Sequence, residues 1–175
     1  MDPIALYLQS ISPNPELYDA WQELNERLFD GALKPIPVIV GLSRHGKHAG
    51  FCAPDHIALQ PSTFAGAWKG VLAHEMCHQA DHQAGIEYKA LGRVQNIHNS
   101  TQWCDRINGV MRQLRDKRFA VPYRRNRAGA MVPMADAIPE GLELIPYEGL
   151  KAWEPMGMLR WGNTERFTTP SSFSD

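Results

Sequence analysis

The sequence is short of cysteine and of long apolar runs, and each shortage excludes a class of protein. Its three cysteines, Cys52, Cys77 and Cys104, are too few and too widely spaced for a disulfide scaffold or a zinc ribbon, so reduced thiols are expected. No apolar stretch approaches the roughly 20 residues that cross a bilayer. The segment after Met1 has neither the basic start nor the apolar core of a secretory signal. We therefore expect a cytoplasmic protein with no membrane partner.

Net charge is also scarce, at -1 for the whole chain, which gives no global attraction to nucleic acid. The charge is uneven, however, because residues 106–127 carry +7 and the remainder carries -8. Basic side chains interleaved with Phe119 and Tyr123 can contact phosphates and stack on bases, which makes DNA a candidate partner. A solvated basic loop at a helix end fits the same pattern. The candidate nucleic-acid contacts are Arg118, Arg124, Arg125 and Arg127.

Three helices are predicted, and in the first and the third the apolar residues repeat at steps of three and four. The first begins at Asn14-Pro15 and ends at Gly31. The second opens at Pro61-Ser62-Thr63, has its strongest part from about Trp68 to Gln83, and has Gly85 as its C-terminal stop. The third begins near Asn99-Ser100, with Gln102 in the capping-box position relative to Asn99.

Short strands are predicted between the first two helices. One covers residues 35–40, and two more, at 50–52 and 57–59, indicate a hairpin or an irregular pair of strands. After Phe119 frequent prolines predict short strands and turns, packed by Trp153 and Trp161, before a disordered end at Thr168 to Asp175. The class is therefore α+β, with one domain at residues 1–127 and an irregular C-terminal extension at 128–175.

The segment His74-Glu75-Met76-Cys77-His78 carries the chemistry that the sequence predicts. Two histidines four residues apart lie one turn from each other on a helix, so both imidazoles can bind one metal ion. The glutamate can accept a proton from a water that Zn²⁺ activates for attack on a carbonyl. Such a motif arises by chance in roughly one or two shuffled chains per hundred, so its position inside a predicted helix matters. We predict that His74 and His78 bind zinc and that Glu75 is the catalytic base.

A catalytic zinc takes three protein ligands and keeps a fourth position open. His82 lies two turns beyond His74, about 12 Å along a straight helix, which is too far for one ion. His98 is the better third ligand because the chain has room to turn back before the third helix. The metzincin pattern is not met, since Asp81 and Ala84 stand where it requires glycine and histidine. Downstream glutamates without a recognisable helical setting are Glu87, Glu140 and Glu143.

Over roughly residues 15 to 116 the chain resembles the SprT-like zinc metallopeptidases, which include the Spartan proteases of DNA–protein crosslinks. The likeness lies in the family's W..lN..lF...L pattern, in the Val71–His78 helix and in His98 followed by Trp103. The residues that match the first pattern are Trp21, Asn25, Phe29 and Leu33.

The resemblance implies a zincin-like fold, in which an N-terminal helix and the active-site helix pack on a small mixed sheet. It assigns His74, His78 and His98 as zinc ligands and Glu75 as the base. Asn99 replaces the family's glycine after the third histidine. The chain has no cysteine after Cys104, so the zinc ribbon of some family members is absent.

The leading hypothesis is a zinc metalloendopeptidase that binds a protein or peptide along a sheet edge such as residues 50–59. DNA-associated proteins are candidate substrates, reached through the basic residues 106–127. A second hypothesis is a non-catalytic nucleic-acid- or protein-binding module with a structural zinc, which requires a fourth ligand such as His82 or a cysteine. A third is a zinc hydrolase of a non-peptide substrate, because the motif fixes the activated water and not what it attacks.

Overall fold

The computed structural model is of the α+β class, and the residues that it describes form three α-helices and small sheets. The described residues fall into two compact units, one ending at residue 86 and the other beginning at residue 97. No helix among them is long and apolar enough to cross a membrane. The described ranges are 15–40, 49–60, 68–86, 97–148 and 150.

The first unit contains two helices and a three-stranded sheet. Its elements are α1 (Pro15–Phe29), β1 (Val38–Val40), β2 (Gly50–Cys52), β3 (Ile57–Leu59) and α2 (Trp68–Gln83).

The sheet of the first unit has the order β1-β3-β2. Strand β3 lies in the centre with all three of its residues buried, parallel to β1 and antiparallel to β2. Cys52 pairs with Ile57 across the turn, where Ala53 N donates to His56 O at 2.8 Å. The predicted hairpin is therefore confirmed. The sheet is mixed, and within the described residues the outer edge of β2 has no partner strand.

Helix α1 buries the apolar stripe that its sequence predicts. Leu17, Trp21, Leu24 and Leu28 are all at most 6% exposed. The helix ends where expected, with Gly31 at a φ of 69°, a left-handed conformation that glycine adopts without steric cost. Gly85 adopts the same left-handed conformation after the end of α2, at a φ of 71°.

The second unit contains a short helix, one long helix and two pairs of strands. Its elements are a 3-10 turn (Ile97–Asn99), α3 (Thr101–Gln113), β4 (Arg118–Phe119), β5 (Tyr123–Arg125), β6 (Met131–Pro133) and β7 (Glu143–Leu144). β4 pairs in parallel with β7, and β5 pairs antiparallel with β6.

The predicted capping box at the start of α3 is wrong by one residue. Ser100 is the N-cap, and its hydroxyl accepts from Trp103 N at 3.2 Å. Asn99 instead holds β5, because its Oδ1 accepts from Tyr123 N and its Nδ2 donates to Tyr123 O. The Asn99 side chain therefore satisfies both backbone polar groups of Tyr123, the first residue of β5.

Short strands and turns follow Phe119, as the prolines predict. The predicted domain boundary at residue 127 lies in the turn between β5 and β6. Trp153, Trp161 and the segment from Thr168 to Asp175 lie outside the described residues, so their predicted roles stay predictions.

Candidate metal centre

Helix α2 is buried on nearly every side, which is unusual for a helix with this many polar residues. Leu72 and Met76 are fully buried, as expected for a core helix. His74 and Glu75 are only 2% and 5% exposed, in the middle of this apolar surrounding. Burying ionisable groups is unfavourable unless they are hydrogen-bonded, paired or bound to a metal. His74 and Glu75 therefore require partners in the interior, and a bound metal ion is one kind of partner that a buried histidine can have.

The two motif histidines converge on one point. Their Nε2 atoms lie 3.2 Å apart, and their rings meet edge-on with centroids 4.9 Å apart. Two nitrogens bound to one tetrahedral zinc at 2.0–2.1 Å are separated by about 3.3–3.4 Å. The separation in the structure is thus close to that of two ligands of a single ion.

His98 completes a group of three histidines. One ring nitrogen from each of His74, His78 and His98 lies within 4.8 Å of the other two. His98 stands in the 3-10 turn, its ring edge-on to Trp103 at 4.9 Å between centroids. His82 does not belong to the group, in agreement with its position two turns along the helix from His74. Three imidazole nitrogens form a donor set that suits zinc, so these residues can hold a metal ion.

Glu75 lies against strand β2. A Cβ placed on Gly50 would come within 2.8 Å of Glu75 Oε1 and within 2.7 Å of Val71 Cγ1. Only glycine, which has no side chain, leaves room at position 50 for the Glu75 carboxylate. Sequence reasoning missed Gly50, although a glycine inside a short strand commonly marks the close approach of another group.

The three thiols stay out of the histidine group. Cys77 Sγ donates to Ala73 O at 3.3 Å, within its own helix, and Cys104 Sγ donates to His98 O at 3.7 Å. Burial raises the pKa of Cys104 to about 12 and also raises the pKa of Cys52, where the charge of Glu75 adds to the effect. Neutral thiols are poor metal ligands.

Helix α2 is fixed by side chains on the face it turns to α1. Trp21 Nε1 donates to Gln79 Oε1 at 3.0 Å, and Gln79 Nε2 donates to Lys34 O at 2.7 Å. Gln83 closes the arrangement by bonding both the N–H and the carbonyl of Lys34. The segment after α1 is thereby tied to the helix that carries the motif, which restricts where the imidazoles can lie.

The four predicted nucleic-acid contacts differ in their surroundings. Arg118 is paired with Asp116 through two side-chain hydrogen bonds, so its charge is neutralised locally. Arg124 and Arg125 lie exposed on β5, where Arg125 donates to Gly129 O at 2.9 Å, and Arg127 is exposed in the following turn. Contact with DNA stays a prediction.

Comparisons with protein-family models, with curated proteins and with solved structures gave no significant match.

Proposed function

We propose that the chain is a zinc metalloendopeptidase of the SprT-like, zincin-like type that its motifs resemble. The proposal rests on the group formed by His74, His78 and His98, together with Glu75. Glu75 lies on the same buried helix as His74 and His78. A glutamate that directly follows the first ligand of this helical motif is the residue that the motif uses for proton transfer, and the proposal gives that role to Glu75.

Zinc is the proposed metal because the donors are three neutral imidazole nitrogens. Three protein ligands are typical of a catalytic zinc, whose fourth position is left for solvent or substrate. Bound Zn²⁺ would lower the pKa of a coordinated water towards neutrality and polarise the carbonyl of the scissile bond.

Glu75 has the role of general base. Its carboxylate takes the proton from the water as the oxygen attacks the peptide carbonyl carbon, and the acid then gives that proton to the departing amine nitrogen. The low exposure of Glu75 keeps competing solvent away from the carboxylate. Because Gly50 has no side chain, it leaves room for the side chain of Glu75.

The outer edge of β2 is the proposed place for the substrate backbone. An extended peptide can add to an unpaired strand edge through main-chain hydrogen bonds. Strand β2 brings its Gly50 end against Glu75 and carries Phe51, an exposed aromatic at 47%. The geometry thus favours a peptide over a compact small molecule, with Phe51 in contact with a substrate side chain.

The alternative of a non-catalytic module with a structural zinc requires a fourth protein ligand. Among the residues that the structure describes, no cysteine, aspartate or glutamate joins the three histidines. Three protein ligands leave a fourth position open, so we favour the enzyme.

The test is Glu75→Gln, which removes the base while preserving the shape of the side chain. We expect the variant to retain zinc and its folded spectrum while cleavage of a peptide library, followed by mass spectrometry, falls by about a hundredfold or more. Glu26→Gln, an exposed change on α1, is the matched control and should cleave like the wild type. Equal cleavage by Glu75→Gln and the wild type would overturn the assignment of the base.

A further inference from the structure

A cavity of about 350 Å³ lies in the second unit, beside the C-terminal end of α3. Its lining contains both basic and apolar residues. The basic residues are Arg112, Arg115, Lys117 and Arg118, and the apolar ones are Phe119, Pro139 and Leu142. None of these residues belongs to the histidine group.

The cavity has a net positive charge. Asp116 is the one carboxylate in its lining, and both of its oxygens are engaged by Arg118. Within the described part of the chain, Arg112, Arg115 and Lys117 form no ion pair with a carboxylate. Three exposed cations therefore face one cavity without a counter-ion of their own.

Hydrogen bonding to the carbonyls at the end of α3 does not explain these cations. Basic residues often stand at a helix C-terminus, where they bond the last carbonyls and complement the dipole. Here the carbonyls of Val110, Met111 and Arg112 already accept backbone N–H groups from the residues that follow, at 2.8 to 3.0 Å. These three carbonyls need no side-chain donor.

The backbone of Arg115 adopts a conformation that is unfavourable for a residue with a side chain. Its φ is 55°, in the left-handed region, at the point after α3 where glycine is the usual residue. Glycine stands at the corresponding places after α1 and α2. An arginine at such a place is unfavourable for folding alone, which points to a use for its guanidinium.

We propose that this cavity binds a phosphate monoester attached to an apolar body, such as a free mononucleotide. A phosphate monoester carries a charge of about -1.5 to -2 near neutral pH, which matches several cations better than a single carboxylate does. Arginine forks bind phosphate oxygens in pairs, and the wall of Phe119, Pro139 and Leu142 receives the base. The volume lies at the small end of the range for ligand pockets, roughly 300–1,000 Å³.

The experiment is calorimetric titration of the full chain with adenosine 5′-monophosphate, with adenosine and inorganic phosphate as separate arms. We expect the monophosphate to bind, inorganic phosphate to compete with it and adenosine to bind much more weakly. The double variant Arg112→Gln/Arg115→Gln should weaken binding at least about tenfold, the scale of a lost charge-assisted hydrogen bond. Arg124→Gln, an equal change in the same basic segment but outside the cavity, should leave the affinity unchanged.

A second variant separates binding from folding. Arg115→Gly removes the guanidinium and relieves the left-handed backbone, so it should unfold at the same or a higher temperature and still bind the monophosphate more weakly. Binding that survives in the cavity variants would place the phosphate elsewhere, for example on a metal ion, and would overturn the proposal. Equal weakening by Arg124→Gln, together with tight binding of an unphosphorylated single-stranded oligonucleotide, would show a general polyanion surface and would also overturn it.

Discussion

The Nε2 atoms of His74 and His78 lie 3.2 Å apart on one face of a buried helix. Two uncharged imidazoles can share a hydrogen bond at this distance, and two ligands of one tetrahedral zinc stand at nearly the same separation. The third histidine and the adjacent buried carboxylate distinguish a metal centre from an isolated pair.

His98 and His82 give opposite predictions for metal content. His98→Ala removes a member of the histidine group, so zinc should be lost on dialysis against a weak chelator. His82→Ala changes the same residue type outside the group and should keep its zinc. Elemental analysis of the two purified variants measures this, and loss from His82→Ala with retention in His98→Ala would reverse the assignment.

Gly50→Ala should impair catalysis without removing the metal. The added Cβ has no room beside Glu75 Oε1 and Val71 Cγ1, so the carboxylate must move. Misplacing a catalytic group commonly lowers turnover by about ten- to a hundredfold. Peptide cleavage and zinc content are measured together on the same preparation.

Gly109→Ala is the control for that substitution, because a Cβ on Gly109 meets no atom within 4 Å. It should leave cleavage unchanged. If Gly50→Ala were as active as Gly109→Ala, the close approach of β2 would have no part in positioning Glu75.

Asn25→Ala should destabilise the first unit. Its side chain is buried and bonds both the N–H and the carbonyl of Leu33, at 3.0 and 3.1 Å. Leaving these two groups without partners lowers the free energy of unfolding by about 1–3 kcal/mol. Urea titration followed by circular dichroism measures the change.

Gln22→Ala, an exposed substitution on the same helix, serves as the comparison and should fall within about 0.5 kcal/mol of the wild type. An equal loss in both variants would mean that helix propensity, and not the Leu33 contacts, accounts for the effect of Asn25→Ala.

The helices and the motif were predictable from sequence because their signals are local. The three- and four-residue steps of Leu17, Trp21, Leu24 and Leu28 define the buried face of α1. The spacing of His74 and His78 alone places two imidazoles on one face of α2. Gly85 marks the end of that helix by the same kind of short-range preference.

The contacts that sequence reasoning missed depend on residues distant in the chain. Gly50 lies against Glu75 because a strand packs on a helix. No sequence pattern around residue 50 predicts this contact. The local pattern predicts a capping box at Asn99, because its actual hydrogen-bond partner, Tyr123, is 24 residues away in the chain. Arg118 and Asp116, by contrast, are only two residues apart, and their side-chain hydrogen bond depends on the local conformation after α3, which no periodic pattern predicts.

X-ray absorption spectroscopy of the zinc-loaded chain is the decisive measurement for the three-histidine centre, because it reports the metal's own ligands. We expect stoichiometric zinc with three imidazole nitrogens and one further light atom, all at about 2.0–2.1 Å. A sulfur ligand at about 2.3 Å, or a fourth imidazole closing the site, would contradict it and would favour a structural metal.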